Sequence, residues 1–308
     1  MGWWWIVFAG LVVGLLALDL LVFHRHSHRE GTREALLWSA VWVGIGLAFS
    51  LFVGWTRGHD QALAYLTAFL IEKSLSVDNL FVFLALFTYF AVAPEHHHRI
   101  LFWGIVGAII TRGIFIFAGV ALISHFHWLV YLLGVVLVAT GAKLGLSAEE
   151  QVHPERNLLV KWASRVLPME RSYHGERFTI RTAKGGLRFT PMFLVLLAIE
   201  STDVMFAVDS VPAVLAVSQD AFVVYSSNIF AILGLRALYF VLARALQSLR
   251  LLRPALAIIL VLVGVKMLIS DVYEVSTALS LVVVGVILAA ATVGSLLLAE
   301  PLDDTTDE

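Results

Sequence analysis

The chain has 308 residues, 60% of them hydrophobic and 14% charged, with a formal net charge of −2. Soluble proteins carry about 25% charged residues, so this composition excludes an ordinary soluble domain, and the balanced charge gives no reason to expect a nucleic-acid partner. There is no cysteine, which excludes disulfides, thiolate zinc sites and cysteine nucleophiles and restricts metal chemistry to oxygen and imidazole ligands.

A membrane-crossing helix needs about 20 mostly apolar residues. In chain order nine stretches qualify: 3–23, 35–53, 62–90, 100–123, 127–146, 191–218, 221–246, 254–270 and 276–299. No Lys or Arg precedes the first and no small-residue cleavage site follows it, so it reads as a retained span and not a cleaved signal. The connections alternate in charge. Arg25, Arg29 and Arg33 lie in one; Arg99 in the next but one; Arg156, Lys161, Arg165, Arg171, Arg177, Arg181, Lys184 and Arg188 in 147–190; Arg244, Arg250 and Arg253 after the seventh stretch. The intervening connections carry Arg57 alone, then no Lys or Arg, then Asp220, then Asp271 and Glu274. Basic loops stay cytoplasmic, so the N-terminus is expected outside and the acidic tail 303–308 in the cytoplasm. The expected fold class is an all-α polytopic membrane protein of about nine transmembrane helices.

Two of the stretches carry acids. The third contains Glu72-Lys73-Ser74-Leu75-Ser76-Val77-Asp78-Asn79; the sixth contains Glu200-Ser201-Thr202-Asp203 and then Val208-Asp209-Ser210. Each acid at a helix centre costs roughly 2.5–3.5 kcal/mol, so four or five cost on the order of 10 kcal/mol unless cations, backbone or water meet them. Such groups are candidates for a functional site by default.

The two motifs also share their downstream landmarks. Asp78 is followed by Arg112 and by Lys143 in Gly141-Ala142-Lys143; Asp209 is followed by Arg236 and by Lys266 in Gly264-Val265-Lys266. The successive gaps are 34 and 31 residues in the first copy and 27 and 30 in the second. A unit of three helices repeated once must insert in the opposite sense, so stretches three to five and six to eight form an inverted repeat, an architecture of secondary transporters that bind substrate near the bilayer midplane. The expected division is 1–61, an N-terminal pair of helices; 62–146, the first repeat; 147–190, a cytoplasmic linker; 191–270, the second repeat; and 271–308, a last helix and acidic tail.

Six residues turn a helix through about 600°, leaving Glu72 and Asp78 about 120° apart, while Glu200 and Asp203 share a face. Pro212 removes a donor and crowds the carbonyl of Val208, so a kink or unwound turn is expected around Asp78 and Asp209. Carboxylates, an amide oxygen and carbonyls suit a hard divalent cation. The candidate metal ligands are Glu72, Asp78, Asn79, Glu200, Asp203 and Asp209. Arg112, Arg236, Lys143 and Lys266 are the candidate charge partners, and they leave open the alternative that the charges pair structurally. Met205 offers a soft thioether beside the acids, although packing is the common use of a methionine there.

Other features read as follows. His24/His26/His28 and His96/His97/His98 are expected as solvated loop residues more than metal gatherers, and His125 and His127 on the outer side. Residues 157–169 read as an interfacial amphipathic helix and 178–189 as a short β-hairpin around Gly185-Gly186. Asp19 is expected to pair locally with Arg25. There is no Walker A pattern, hence no sign of ATP hydrolysis.

The acidic motifs, Ala17-Leu18-Asp19-Leu20, His174-Gly175-Glu176-Arg177-Phe178, Asp203 through Ala213 and Ser227-Asn228 through Arg236 resemble the TerC family of bacterial membrane proteins, and the likeness covers nearly the whole chain. The resemblance implies a multi-pass protein of the bacterial inner membrane that exports manganese, with Glu72, Asp78, Asp203 and Asp209 carrying the ion and Glu200 nearby. It also implies historical links to tellurium resistance, kinship with the LysE superfamily, and metal delivery at the secretion machinery.

The expected function is a proton-coupled exporter of a divalent cation, Mn²⁺ first, with no tightly bound cofactor and no enzymatic activity. Its partners are the cation, the lipid bilayer, and either the secretion machinery or further copies of the chain. The competing reading is a membrane scaffold for metal loading or secretion that moves nothing, marked by a closed acid–base network. An intramembrane hydrolase lacks a nucleophile constellation, and an amino-acid exporter would need an anion site that an acid-rich cluster disfavours.

Overall fold

The computed structural model describes residues 2–23, 32–126, 128–146, 158–170, 172, 174–181, 186–245, 251–273 and 275–298; at 20–23, 32–33, 77–78, 81, 158–159, 209, 242–245, 252–253, 277 and 296 it describes the backbone alone. The His24/His26/His28 group, Arg25, His127, Gly185 and the acidic tail lie outside the described residues.

The fold is mostly helical. Helices α1 (Trp3–Phe23), α2 (Thr32–Arg57), α3 (His59–Tyr89), α4 (Pro94–His125) and α5 (Leu129–Leu146) precede a short α6 (Leu158–Val166) and a hairpin of β1 (Thr179–Arg181) and β2 (Leu187–Phe189). Then come α7 (Pro191–Leu215), α8 (Ala221–Leu233), α9 (Leu235–Ala245), α10 (Leu252–Leu268) and α11 (Thr277–Leu297). Length and composition suit six segments to crossing a bilayer: Glu34–Arg57, Pro94–His125, Leu129–Leu146, Pro191–Leu215, Ala221–Val241 and Ala278–Ser295. Trp3–Asp19 and Pro254–Leu268 are shorter apolar helices. Helix α3 is long enough at 31 residues but carries Asp60, Glu72, Lys73 and Asp78, so hydropathy alone does not select it.

Local chemistry sets the boundaries. Proline opens α4 and α7 at a position whose missing donor would have had no helical partner. Asp220 caps α8, its Oδ1 accepting from the backbone N–H groups of Phe222 and Val223, and the Ser276 hydroxyl does the same for α11.

Two expectations are corrected here. Neither α3 nor α7 unwinds at its second acid; both remain helical, and Pro212 is accommodated inside α7, one turn from its end. The break falls instead in the seventh stretch, at Gly234, between α8 and α9. The Lys73 Nζ donates to the Ala231 carbonyl at 3.0 Å, so a cation caps the negative end of α8. Gly234 is needed there for space: a Cβ would lie 2.8 Å from that of Trp42 and 2.9 Å from Lys73 Nζ.

Helix α3 packs against α8, α4 against α7, and α5 most extensively against α10. The last pair meets backbone to backbone. A Cβ on Gly134 would lie 3.1 Å from the Gly264 carbonyl oxygen, and one on Gly141 would lie 2.8 Å from that of Ala257; the pairing 134 with 264 and 141 with 257 makes the helices antiparallel. Around these seams are two apolar clusters, one including Trp42, Phe69, Ile199 and Phe230, the other Ile116, Leu137, Val214 and Ile259.

The linker folds as its sequence pattern suggests. Helix α6 buries Val160 and Ala163, packs on α7, and exposes Lys161, Trp162, Arg165 and Val166. The hairpin pairs Thr179 with Phe189 and Arg181 with Leu187. It is tied to α4 by Arg99, which meets Glu176 at 3.2 Å and lies over the Phe178 ring.

The candidate intramembrane ion site

Among the described residues the largest fully buried side chain is Arg112 on α4. Its guanidinium forms an ion pair with Glu72 of α3. It also meets Asp203 of α7, with Nη2 3.0 Å from Oδ1 and Nε 3.4 Å from Oδ2, and donates from Nη1 to the Ser210 hydroxyl at 3.3 Å. Glu72 and Arg112 have no exposed side-chain surface, and Asp203 almost none. One acid from each motif, 131 residues apart, therefore meets the same cation. Glu72 faces that cation as a charge contact without an aligned hydrogen bond at either oxygen.

The other candidates are distributed around this centre. Glu200 is half-buried on α7, with its carboxyl group against the backbone of Gly107 on α4, where any Cβ would overlap it. Asn79 is buried on α3. Asp78 and Asp209 stand on α3 and α7, but their side chains are outside the described ones. Among the described residues no group of three or more His, Asp or Glu side chains is arranged to hold a metal ion.

Of the expected charge partners, Arg112 meets acids of both motifs. Arg236 instead donates to Asp19 of α1, 2.7 Å from Nη2 to Oδ1, and to that residue's own carbonyl at 3.3 Å. This corrects the expected local pairing of Asp19, a buried residue that reaches across to α9. Lys266 donates to the Ser280 hydroxyl of α11 at 2.9 Å, and Lys143 is exposed on α5. Met205 is exposed on α7, one turn before Asp209.

The second histidine group is also corrected: His96, His97 and His98 belong to the first turns of α4 and are not loop residues. His97 is buried, stacked on Phe87 at 4.2 Å, with Nε2 3.1 Å from the Val92 carbonyl and Nδ1 3.1 Å from the Tyr239 hydroxyl. A carbonyl can only accept, so the neutral Nε2–H tautomer satisfies both contacts.

Sequence reasoning missed Asp19 as a reader of Arg236, Ser210 as a third contact of Arg112, and Gly107 as the seat of Glu200. Asp19 had a signal, an acid inside an apolar stretch; Gly107 had none, since small residues are common in membrane helices.

A helical, apolar protein with acids from two helices bound to one guanidinium in its interior is an integral membrane protein with a built polar centre. The sequence matches the integral membrane protein TerC family over residues 57–301, and the chain belongs to that family. It is 44% identical over 294 residues to the "Uncharacterized membrane protein STKORF319" of Myxococcus xanthus, covering 95% of this chain and 92% of that one. It is 46% identical over 290 residues to the "Putative membrane-bound redox modulator Alx" of Escherichia coli (strain K12), covering 91% and 90%. An "Uncharacterized membrane protein" of Rickettsia bellii (strain RML369-C) is 37% identical over 279 residues, covering 91% and 92%. No solved structure matches the chain.

Proposed function

We propose that this protein is a secondary transporter of the bacterial inner membrane that exports a divalent metal cation, Mn²⁺ being the best suited, in exchange for protons. The observation that carries the reading is the convergence of Glu72 and Asp203, from the two acidic motifs, on the single guanidinium of Arg112. A fixed cation held by carboxylates of both halves is a stand-in for a mobile one. Metal entering among Glu72, Asp78, Asn79, Glu200, Asp203 and Asp209 competes with Arg112 for the carboxylates, and its departure lets the guanidinium return. Oxygen ligands of this kind favour Mn²⁺, Mg²⁺ or Ca²⁺ over softer ions.

The packing supports an inverted repeat of three helices each. Exchanging α3 with α7, α4 with α8 and α5 with α10 turns the contacts α3–α8 and α4–α7 into one another and returns α5–α10 to itself. The motif offset of 123 residues between Lys143 and Lys266 maps the contact 134 with 264 onto 257 with 141, and both contacts occur. That reciprocity is what a two-fold relation requires. The expected sidedness has support as well: Arg57 meets Asp220, Tyr131 meets Asp271, and Arg99 meets Glu176, each joining segments assigned to the same side.

A second reading, a scaffold that moves nothing, is favoured by the closed pairing of Arg112 with two acids and of Arg236 with Asp19. The redox role in the name of the relative from E. coli, if it extends to this chain, does not run through thiols of the chain, since there are none.

The deciding experiment is Mn²⁺ flux in proteoliposomes for the wild type, Asp78→Asn and Asp209→Asn. Export predicts flux in the wild type and its loss in both folded variants. Unchanged flux in the variants removes the site assignment, and a silent wild type favours the scaffold.

A further inference from the structure

Helix α6 uses only part of its apolar surface inside the protein. It packs on α7 through Val160 and Ala163, and Val160 joins the apolar cluster that includes Met192 and Val195. Trp162 and Val166, four residues apart and therefore on one face, are each 58% exposed. At 100° per residue their face lies about 110° around the helix from that of Val160 and Ala163. Lys161 and Arg165, also four apart and both exposed, follow about 100° further round. The helix thus has one face packed on α7, one that is apolar and bare, and one that is basic.

The place of α6 in the fold says what can cover the bare face. The apolar segments of α4 and α7 begin at Pro94 and Pro191, and the linker is fastened near both starts. Arg99 of α4 meets Glu176, and the Phe189 ring lies 4.7 Å from that of Phe193 on α7. Helix α6 therefore stands where these two helices enter the bilayer. The described linker acids are engaged elsewhere, Glu170 with Arg188 at 3.4 Å and Glu176 with Arg99 at 3.2 Å. Among the described residues neither Lys161 nor Arg165 has an acid to pair with. An apolar stripe beside two uncompensated cations, at the bilayer edge, is complementary to anionic headgroups: tryptophan favours headgroup depth, and juxtamembrane Lys and Arg are drawn to an anionic leaflet. A second copy docking through the same face would set like charges against each other.

We infer that α6 is a docking surface for anionic lipid headgroups, with Trp162 and Val166 in the headgroup boundary and Lys161 and Arg165 on the phosphates. The inference goes beyond the exporter reading and does not depend on it. Amphipathicity alone would put the whole apolar side of this helix into lipid; in the structure α7 takes the half formed by Val160 and Ala163, which leaves a narrow stripe with its own cations. Through its packing on α7, which carries Glu200 and Asp203, this surface ties an acid-bearing helix to the leaflet.

The lack of cysteine makes single labelling sites available for the test. Full-length Trp162→Cys and Ser164→Cys, each carrying a fluorophore, are placed in nanodiscs of phosphatidylcholine and phosphatidylglycerol. Both positions are exposed, so neither substitution opens a cavity. The label at 162 should be quenched by a lipid-borne nitroxide and shielded from aqueous iodide; the label at 164, opposite the stripe, should behave in reverse. Iodide reaching both labels equally overturns the docking, and so does a label at 162 shielded from both quenchers, since protein then covers the stripe. The second measurement is the rise in unfolding temperature of the detergent-purified protein with added phosphatidylglycerol, phosphatidylcholine of the same chains, or inorganic phosphate. Phosphatidylglycerol should stabilise the wild type more than phosphatidylcholine, and inorganic phosphate should not. Each cation contributes roughly fivefold in affinity, so Lys161→Gln combined with Arg165→Gln should weaken phosphatidylglycerol about 25-fold while leaving the lipid-free unfolding temperature unchanged. Equal effects of the two lipids, an equal effect of inorganic phosphate, or an unaltered response in the double variant overturns the inference.

Discussion

Arg112 and Glu72 meet as an ion pair in which neither side chain has any surface exposed. Burying a charge is favourable only when its partner is present, and deleting one member of a buried pair costs about 3–5 kcal/mol. Arg112→Met leaves Glu72 and Asp203 facing each other in a low-dielectric interior, so this variant is expected at the upper end of that range. Arg112→Lys offers a single ammonium where a planar fork served two carboxylates and is expected to fall between. Thermal or denaturant unfolding of the detergent-purified proteins checks both; a wild-type unfolding temperature for Arg112→Met would mean that the pairing contributes nothing to stability.

The Asp19–Arg236 contact can be tested as a coupling. Arg236→Met is expected to destabilise by about 3–5 kcal/mol, because it leaves the buried Asp19 carboxylate without its cation, and Asp19→Leu is expected to destabilise by less. The double variant should lose less than the sum, with an interaction energy of about 0.5–3 kcal/mol. Additive losses in the unfolding measurement would show that the two groups do not depend on one another.

How much of this was legible in the sequence follows from the range of each signal. The helical stretches were legible because twenty apolar residues are a local property, and the β-hairpin and α6 because turn glycines and helical periodicity are local too. The charge landmarks Glu72, Arg112 and Asp203 announced themselves by being costly in hydrocarbon. What the sequence could not give was the choice of partner. Arg236 and Arg112 follow the two acidic motifs at similar distances in the sequence, yet one pairs with motif acids and the other with Asp19 of α1, a partner 217 residues away that no local signal announces. The break at Gly234 escaped notice because a lone glycine is common in membrane helices; its meaning depends on Trp42 and Lys73 arriving from α2 and α3.

Gly107 gives a prediction about Glu200. A methyl group at this position would overlap the Glu200 carboxyl, so Gly107→Ala must push that side chain aside or part α4 from α7. The carboxyl is the end of a flexible side chain and can rotate away, so the cost is expected to fall below the ~1–3 kcal/mol of overpacking against backbone. If Glu200 takes part in transport, Gly107→Ala is expected to lower Mn²⁺ flux, and Gly107→Ala combined with Glu200→Ala should recover the stability but not the flux. Stability restored together with flux would remove Glu200 from the ion path.

The α5–α10 seam supplies a last prediction, with an internal control. A Cβ at Gly264 would lie 2.8 Å from the carbonyl oxygen of Gly134 and 2.9 Å from the Val138 backbone N, groups that cannot rotate away as a side-chain end could. Gly264→Ala therefore has to separate the two helices, and a loss of about 1–3 kcal/mol is expected. Gly141→Ala meets the Ala257 carbonyl and the Val261 backbone at 2.8 and 3.0 Å and should cost a similar amount, because the clash is again with backbone at nearly the same distances. Gly285→Ala on α11 meets nothing within 4 Å; there alanine brings only its better helix propensity, worth about 0.8–1.0 kcal/mol in the opposite direction. Thermal unfolding of the three single variants separates the cases. If Gly264→Ala and Gly141→Ala are as stable as Gly285→Ala, the helices do not meet backbone to backbone. If only one of the two loses stability, the reciprocity that supports an inverted repeat is lost with it.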